Sequence, residues 1–140
     1  MRNVHFVGSI GLDSVEEVFM TAGKLLRGHL KRILDGEPGG RRMWTSWQYP
    51  VLRTTSGLVI DPAAKPIAGT GFLPLTVGAD VPAGGIRFGE LGYQREARAS
   101  YQDFLEARSS GVLPEGIRFQ VSFPTPFAVI WRFMTEHRRD

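Results

Sequence analysis

Asp35-Gly36-Glu37-Pro38-Gly39-Gly40-Arg41-Arg42 places two carboxylates and two guanidinium groups around a turn, directly after the short apolar run Lys31 to Leu34. A carboxylate at the end of a buried strand needs a partner or a ligand, because taking it out of water alone is costly. Glu37 could bind an ammonium group. Asp35 could do the same, or pair with Arg41 or Arg42, and an internal ion-pair cluster that fixes the loop accounts for these residues equally well. A second turn, Val7-Gly8-Ser9-Ile10-Gly11, also follows an apolar run. It could offer backbone amides and the Ser9 hydroxyl to a carboxylate, as nests and helix N-termini do, or it could be a tight turn that uses Gly8 and Gly11 for conformational freedom. A third, Ser122-Phe123-Pro124-Thr125-Pro126, reads as a helix start, with Thr125 as cap and Pro126 in the first turn. A small polar ligand would bind where such turns converge.

The elements that must position these turns alternate along the chain. Val4 to Ile10 reads as a buried strand. Asp13 or Ser14 caps a helix, with Glu17 at capping-box spacing, and Val15, Val18, Phe19, Ala22, Leu25, Leu26 and Leu30 follow one buried helical face. Lys31 to Leu34 is a second strand, and Arg41 to Leu52 is a helix limited by Pro50, with Trp44 and Trp47 as packing residues. Arg53 to Gly85 dissolves into glycines and prolines and is expected to be a long excursion or lid, with Leu73 to Val77 as a short extended piece within it. Ile86 to Leu91 is a short strand or the extended end of that excursion. Gln94 to Arg108 is helical, with Ala97, Tyr101, Phe104 and Leu105 facing inward, and Ile117 to Phe123 is an alternating strand before a final helix. Strand, helix, strand, helix, strand, helix predicts an α/β fold with a parallel sheet. Its ligands are expected beyond the carboxyl ends of the strands, where the three turns lie.

Composition narrows the function classes. The 140 residues suit a single domain, and an apolar fraction of 42% with 22% charged residues is that of a soluble globular protein. Seventeen basic against fourteen acidic residues give a net charge of +3, too small an excess for a nucleic-acid footprint. The basic end His137-Arg138-Arg139 reads as a solvated tip. No run is long enough to cross a bilayer and no cysteine is present, so the cytoplasm is the expected compartment. His5, His29 and His137 lack metal-ligand spacing, and His5 within its apolar strand reads as structural. Neither a phosphate loop nor a dinucleotide fingerprint is present.

The segments Val4 to Ile10, Asp35 to Arg42 and Val121 to Pro126 resemble the first strand ends of proteins related to the catalytic domain of cobalamin-independent methionine synthase, in the uroporphyrinogen decarboxylase and methionine synthase superfamily. The resemblance covers nearly the whole chain. It implies a partial (β/α) barrel, about the first three or four units of a TIM-barrel-like fold, as one domain over residues 1–140 with residues 53–85 as loop or lid. Gly8, Ser9 and Ile10 would then receive the carboxylate of homocysteine. Glu37 would receive its amine, Asp35 is a further substrate-binding candidate, and Ser122 and Thr125 would line the pocket. The family uses zinc, held by His, Cys and Glu from later strands, and a folate methyl donor. This chain alone is expected to bind neither metal nor cofactor, and no catalytic residue is assigned within it. A partial barrel leaves open sheet edges, which invites a homo-oligomer or a complementing chain. The expected function is the substrate-holding portion of a methyltransferase that is not active alone. The alternatives are a non-enzymatic amino-acid-binding, anion-binding or assembly half-barrel, and an inert truncated product.

Overall fold

Ser14 sets where the first helix begins. The computed structural model describes Val4, residues 6–43 and residues 46–135. In it, Ser14 has extended backbone and its hydroxyl accepts the Glu17 N–H at 3.1 Å, opening α1, Val15–Leu25. The Glu17 carboxylate reaches back to the Asp13 N–H at 2.9 Å. Glu16 and Glu17 thus sit at the positive end of the helix dipole. Val18, Phe19 and Ala22 are buried on α1 as the spacing predicts, with Gly23 beside them, whereas Leu25 is exposed. The helix ends sooner than that spacing predicts, because Gly28 turns the chain at φ 85°. Leu30 therefore leaves the helical face and forms a parallel bridge with Val4.

The chain divides into two compact units, one built from Met1–Arg42 and Gly92–Phe123, the other from Met43–Leu91 and Pro124–Asp140. In the first unit, β1 (Arg32–Ile33) pairs in parallel with β4 (Arg118–Phe119), with Arg32 opposite Arg118 and Ile33 opposite Phe119. The N-terminal segment meets the chain before and after β1, through Val4 N–H to the His29 carbonyl at 3.0 Å and Ile10 N–H to the Gly36 carbonyl at 2.7 Å. Three neighbouring parallel segments therefore follow one another in chain order. α1 connects the first pair, and α3 (Tyr93–Ser109) precedes the last segment. Val18, Phe19, Ala22, Leu30, Ile33, Phe104, Leu113 and Ile117 form one core. Phe19 meets Phe104 edge-on at 6.2 Å, and each ring so buried contributes about 2–3 kcal/mol. Gly23 lets α1 come close to the loop after α3, since a Cβ there would stand 2.5 Å from the Val112 carbonyl oxygen.

Regular pairing in this unit is shorter than alternation predicts. Val7 is 80% exposed, and Gly8 at φ 84° interrupts the extended chain, so Val4 to Ile10 is not a continuous buried strand. Ile117 is buried and Phe119 half-buried, but Val121 and Phe123 are exposed. The Gln120 N–H to the Ile33 carbonyl at 2.8 Å follows the last β1–β4 pair. Beyond it, the backbone of β1 turns away into Asp35–Gly36–Glu37 and has no edge to offer. On α3, Ala97 and Leu105 are half-buried and Phe104 fully buried, while Tyr101 lies outside, stacked on Phe104 at 6.0 Å.

In the second unit the excursion expected at residues 53–85 holds regular structure, at Leu75–Val77 within the piece expected to be extended and also at Leu58–Ile60. β2 (Leu58–Ile60) and β3 (Leu75–Val77) form an antiparallel hairpin with Leu58 opposite Val77 and Ile60 opposite Leu75. Its core joins Tyr49, Leu52, Leu58, Ile67, Leu75, Val129 and Phe133. Tyr49 stacks on Phe72 at 4.2 Å and donates its hydroxyl to the Leu73 carbonyl. The helix expected over Arg41 to Leu52 is instead two 3-10 turns, Gly39–Met43 and Ser46–Gln48, leading into α2 (Tyr49–Arg53), with Pro50 in its first turn where no amide is needed. Thr125 caps α4 (Pro126–Phe133) by accepting the Ala128 N–H at 3.1 Å, as expected. Ile86 to Leu91 forms no strand; its Ile86 and Leu91 pack on this core instead.

Among the described residues the chain is a small mixed α/β protein with four α-helices and four short strands in two two-stranded sheets, and no closed barrel. No described helix is long and apolar enough to cross a membrane. His5, Trp44 and the basic end His137-Arg138-Arg139 lie outside the described residues.

Candidate functional site

The turn after β1 builds the site, and it divides its two acids between two tasks. Asp35 is buried and faces inward. Its Oδ2 accepts the Ser100 hydroxyl at 2.5 Å and Arg41 Nη1 at 2.6 Å, and Arg41 Nη1 also reaches Ser100 Oγ at 3.3 Å. Glu96 stands 3.7 Å from Arg41 Nε. The Oδ1 of Asp35 accepts the Glu37 N–H at 3.1 Å. Both oxygens of Asp35 are thus engaged by the protein itself, which is the internal ion-pair reading of this acid and leaves it poorly placed to receive a ligand.

Glu37 differs. It is 8% exposed and adopts φ 50°, the only positive φ at a described residue other than glycine. Held left-handed backbone of this kind costs about 1–3 kcal/mol and persists only where the surroundings enforce it. Gly36, at φ 75°, makes the turn possible: a Cβ there would stand 2.8 Å from Val18 Cγ2 and 3.0 Å from Ile10 Cβ. Ser9 donates its hydroxyl to Glu37 Oε2 at 2.9 Å and has the Arg42 carbonyl as a second acceptor at 3.1 Å. Among the described residues no lysine or arginine forms an ion pair with Glu37. The Arg42 guanidinium is turned to Asp13 at 3.0 Å and to the Leu12 carbonyl at 2.6 Å.

The electrostatics follow from this division. Burial raises the Glu37 carboxyl above its ordinary value of 4.5; the Ser9 hydrogen bond opposes that rise, the Asp35 charge adds to it and Arg41 opposes it. Burial, with the Glu37 charge as a second cause, pushes the Tyr93 hydroxyl up to about 12. Tyr93 packs edge-on against Phe123 at 5.4 Å, so an aromatic pair belongs to the same unit as the carboxylate.

Of the residues expected to form a site, Ser9 and Glu37 are brought into contact. Ile10 supports them by donating its N–H to the Gly36 carbonyl and packing where a Gly36 Cβ would stand. Gly8 lies at the turn with open space where a side chain would be. Ser122 is half-buried in the first unit, and Thr125, in the second unit, is engaged as a helix cap. Sequence reasoning missed Ser100, Glu96 and Tyr93. Ser100 carried a readable signal: it lies on the stripe of Ala97, Tyr101 and Phe104, where a serine needs a hydrogen-bond partner. Among the described residues no group of three or more His, Asp or Glu side chains is placed to hold a metal ion, so the zinc implied by the resemblance finds no donor set there.

No family model matches the chain, and neither a curated protein nor a solved structure matches it.

Proposed function

We propose that the first unit binds the ammonium group of a small amino-acid-like ligand at Glu37, as the substrate-holding portion of a methionine-synthase-like methyltransferase. The observation that carries this reading is the contrast within one turn: Asp35 is fully engaged, whereas the largely buried Glu37 has a serine hydroxyl and no cationic partner among the described residues. A carboxylate desolvated to that degree is stabilised by a cation that enters with its own hydrogen-bond donors. The succession of three parallel segments with α1 and α3 between them supports the first units of a (β/α) barrel. In this reading homocysteine is the ligand, and the thiol chemistry is supplied by groups outside the described site. The short β1–β4 ladder leaves backbone edges that a second copy or a complementing chain would extend.

A non-enzymatic amino-acid-binding module is the second reading. It is favoured by the makeup of the site, whose described side chains are serine, aspartate, glutamate, arginine and tyrosine, with no thiolate or imidazole. Calorimetric titration with homocysteine and methionine, with and without zinc, on the wild type and Glu37→Gln separates the readings. Binding that needs Glu37 and is tightened by zinc for homocysteine alone supports the methyltransferase portion. Glu37-dependent binding indifferent to zinc supports the binding module. No binding to the wild type removes both.

A further inference from the structure

We infer that Ser100 on α3 is a positioning residue for Glu37, acting through Asp35 from 65 positions further along the chain. The inference rests on Glu37 as the ligand-facing carboxylate. Glu37 is held in a backbone conformation that favours glycine, at φ 50°, and the contact that fixes its amide is the 3.1 Å bond from its own N–H to Asp35 Oδ1. Asp35 can hold that amide only while its carboxylate plane is fixed. Its other oxygen is fixed by two donors, Ser100 Oγ at 2.5 Å and Arg41 Nη1 at 2.6 Å.

The two donors are not equivalent. Arg41 belongs to the same turn and moves with it, being six residues from Asp35, and it is shared with Glu96. Ser100 is 2% exposed on the buried face of a seventeen-residue helix. It also lies one helical turn before Phe104, which is anchored against Phe19. Ser100 therefore ties the turn to the rigid core, and it sets the position of a carboxylate with which it makes no hydrogen bond itself. The chain of contacts is Phe19–Phe104 packing, the Ser100 hydroxyl, the Asp35 carboxylate, the Glu37 amide and the Glu37 left-handed backbone.

The consequence is a site whose affinity and protonation are set from α3. Among the described residues, the charged and titratable groups around Glu37 are Asp35 and Arg41 from its own turn and Tyr93 from α3, with the Ser9 hydroxyl from the first segment. Without the Ser100 hydroxyl, Asp35 is held by Arg41 of its own turn alone, its hold on the Glu37 amide loosens, and the backbone relaxes toward negative φ. The carboxyl then moves toward water and away from Ser9.

The test is a carbon-13 NMR titration of the Glu37 carboxyl with exchange of its amide proton, in the wild type, Ser100→Ala and Ser100→Cys. Calorimetric homocysteine binding is measured on the same samples. The expected result for Ser100→Ala is a titration midpoint that falls toward the ordinary value of 4.5, faster exchange of the Glu37 amide, and binding weakened about tenfold, within the range that release of a strained residue allows. Ser100→Cys keeps the size of the side chain and a weak donor, so its midpoint falls less. A folded Ser100→Ala with an unmoved Glu37 midpoint overturns the inference. If Ser100→Ala does not fold, an unmoved midpoint in Ser100→Cys overturns it instead, and a lowered one supports it. A midpoint that falls in a protein that binds no homocysteine even as wild type upholds the positioning role and removes the proposed ligand. An unmoved midpoint with intact homocysteine binding does the reverse.

Discussion

The Asp35 end and the Glu37 end of one turn carry the same chemical group in two opposite states. Asp35 accepts from a serine, an arginine and a backbone amide, so its charge is matched inside the protein. Glu37, two residues on, is buried to a similar degree but among the described residues has the Ser9 hydroxyl alone as a side-chain hydrogen-bond donor, and its carboxyl is pushed up by burial. The difference teaches how one cluster of charges is divided between structure and binding. Asp35 meets the Ser100 hydroxyl of α3 and the Arg41 guanidinium of its own turn, and Glu37, beyond a glycine in left-handed geometry, is left for a donor that arrives from solution.

The comparison breaks most severely at its structural end. Asp35→Ala leaves the Arg41 guanidinium and the Ser100 hydroxyl without their shared acceptor, and urea denaturation is expected to show a loss of about 3 kcal/mol. A loss under about 1 kcal/mol, the scale of an exposed ion pair, would show that Asp35 is no more engaged than a surface acid. Gly36→Ala is next. It sets a side chain against Val18 and Ile10 and forces positive φ on a residue with a Cβ, and about 2 kcal/mol should be lost, with Glu37-dependent binding lost alongside.

Ser9→Ala touches only the Glu37 end. About 1 kcal/mol of hydrogen bonding is removed, and, because that bond favours the charged carboxyl, the Glu37 midpoint should rise further in a carbon-13 titration. The smallest effect is Glu37→Gln. A carboxyl whose folded value is raised above its unfolded value contributes stability that is fully present below 4.5 and lost as pH rises through the folded value. Glu37→Gln should therefore be slightly more stable than the wild type at neutral pH and no more stable at pH 4, as read from paired denaturation curves. Ligand binding runs the other way: an ammonium ligand needs the carboxylate, so affinity should fall as pH drops through the raised Glu37 value.

Local signals were legible where one segment decided its own structure. The cap at Ser14, the buried side of α1 and the Thr125 cap were each written in a few consecutive residues. Residues 53–85 were legible only at Leu73 to Val77, because Tyr49, Val129 and Phe133, the core partners of Leu58, Ile67 and Leu75, lie outside that stretch. Alternation over Ile117 to Phe123 overstated the strand, since a ladder extends only as far as its neighbour and the backbone of β1 turns away at Asp35. The turn itself was legible as chemistry. Its division was not, because it depends on the φ of Glu37 and on a serine brought in by α3, neither of which leaves a pattern within Asp35 to Arg42.

Carbon-13 NMR of the two carboxyl groups during titration with homocysteine tests the division most directly. The Glu37 signal should move with the ligand and saturate while the Asp35 signal stays in place, and a thiol of the same length without the amine should move neither. An Asp35 signal that follows the ligand while Glu37 is still, or two signals that ignore homocysteine altogether, would contradict the assignment of Glu37 as the carboxylate held open for a ligand.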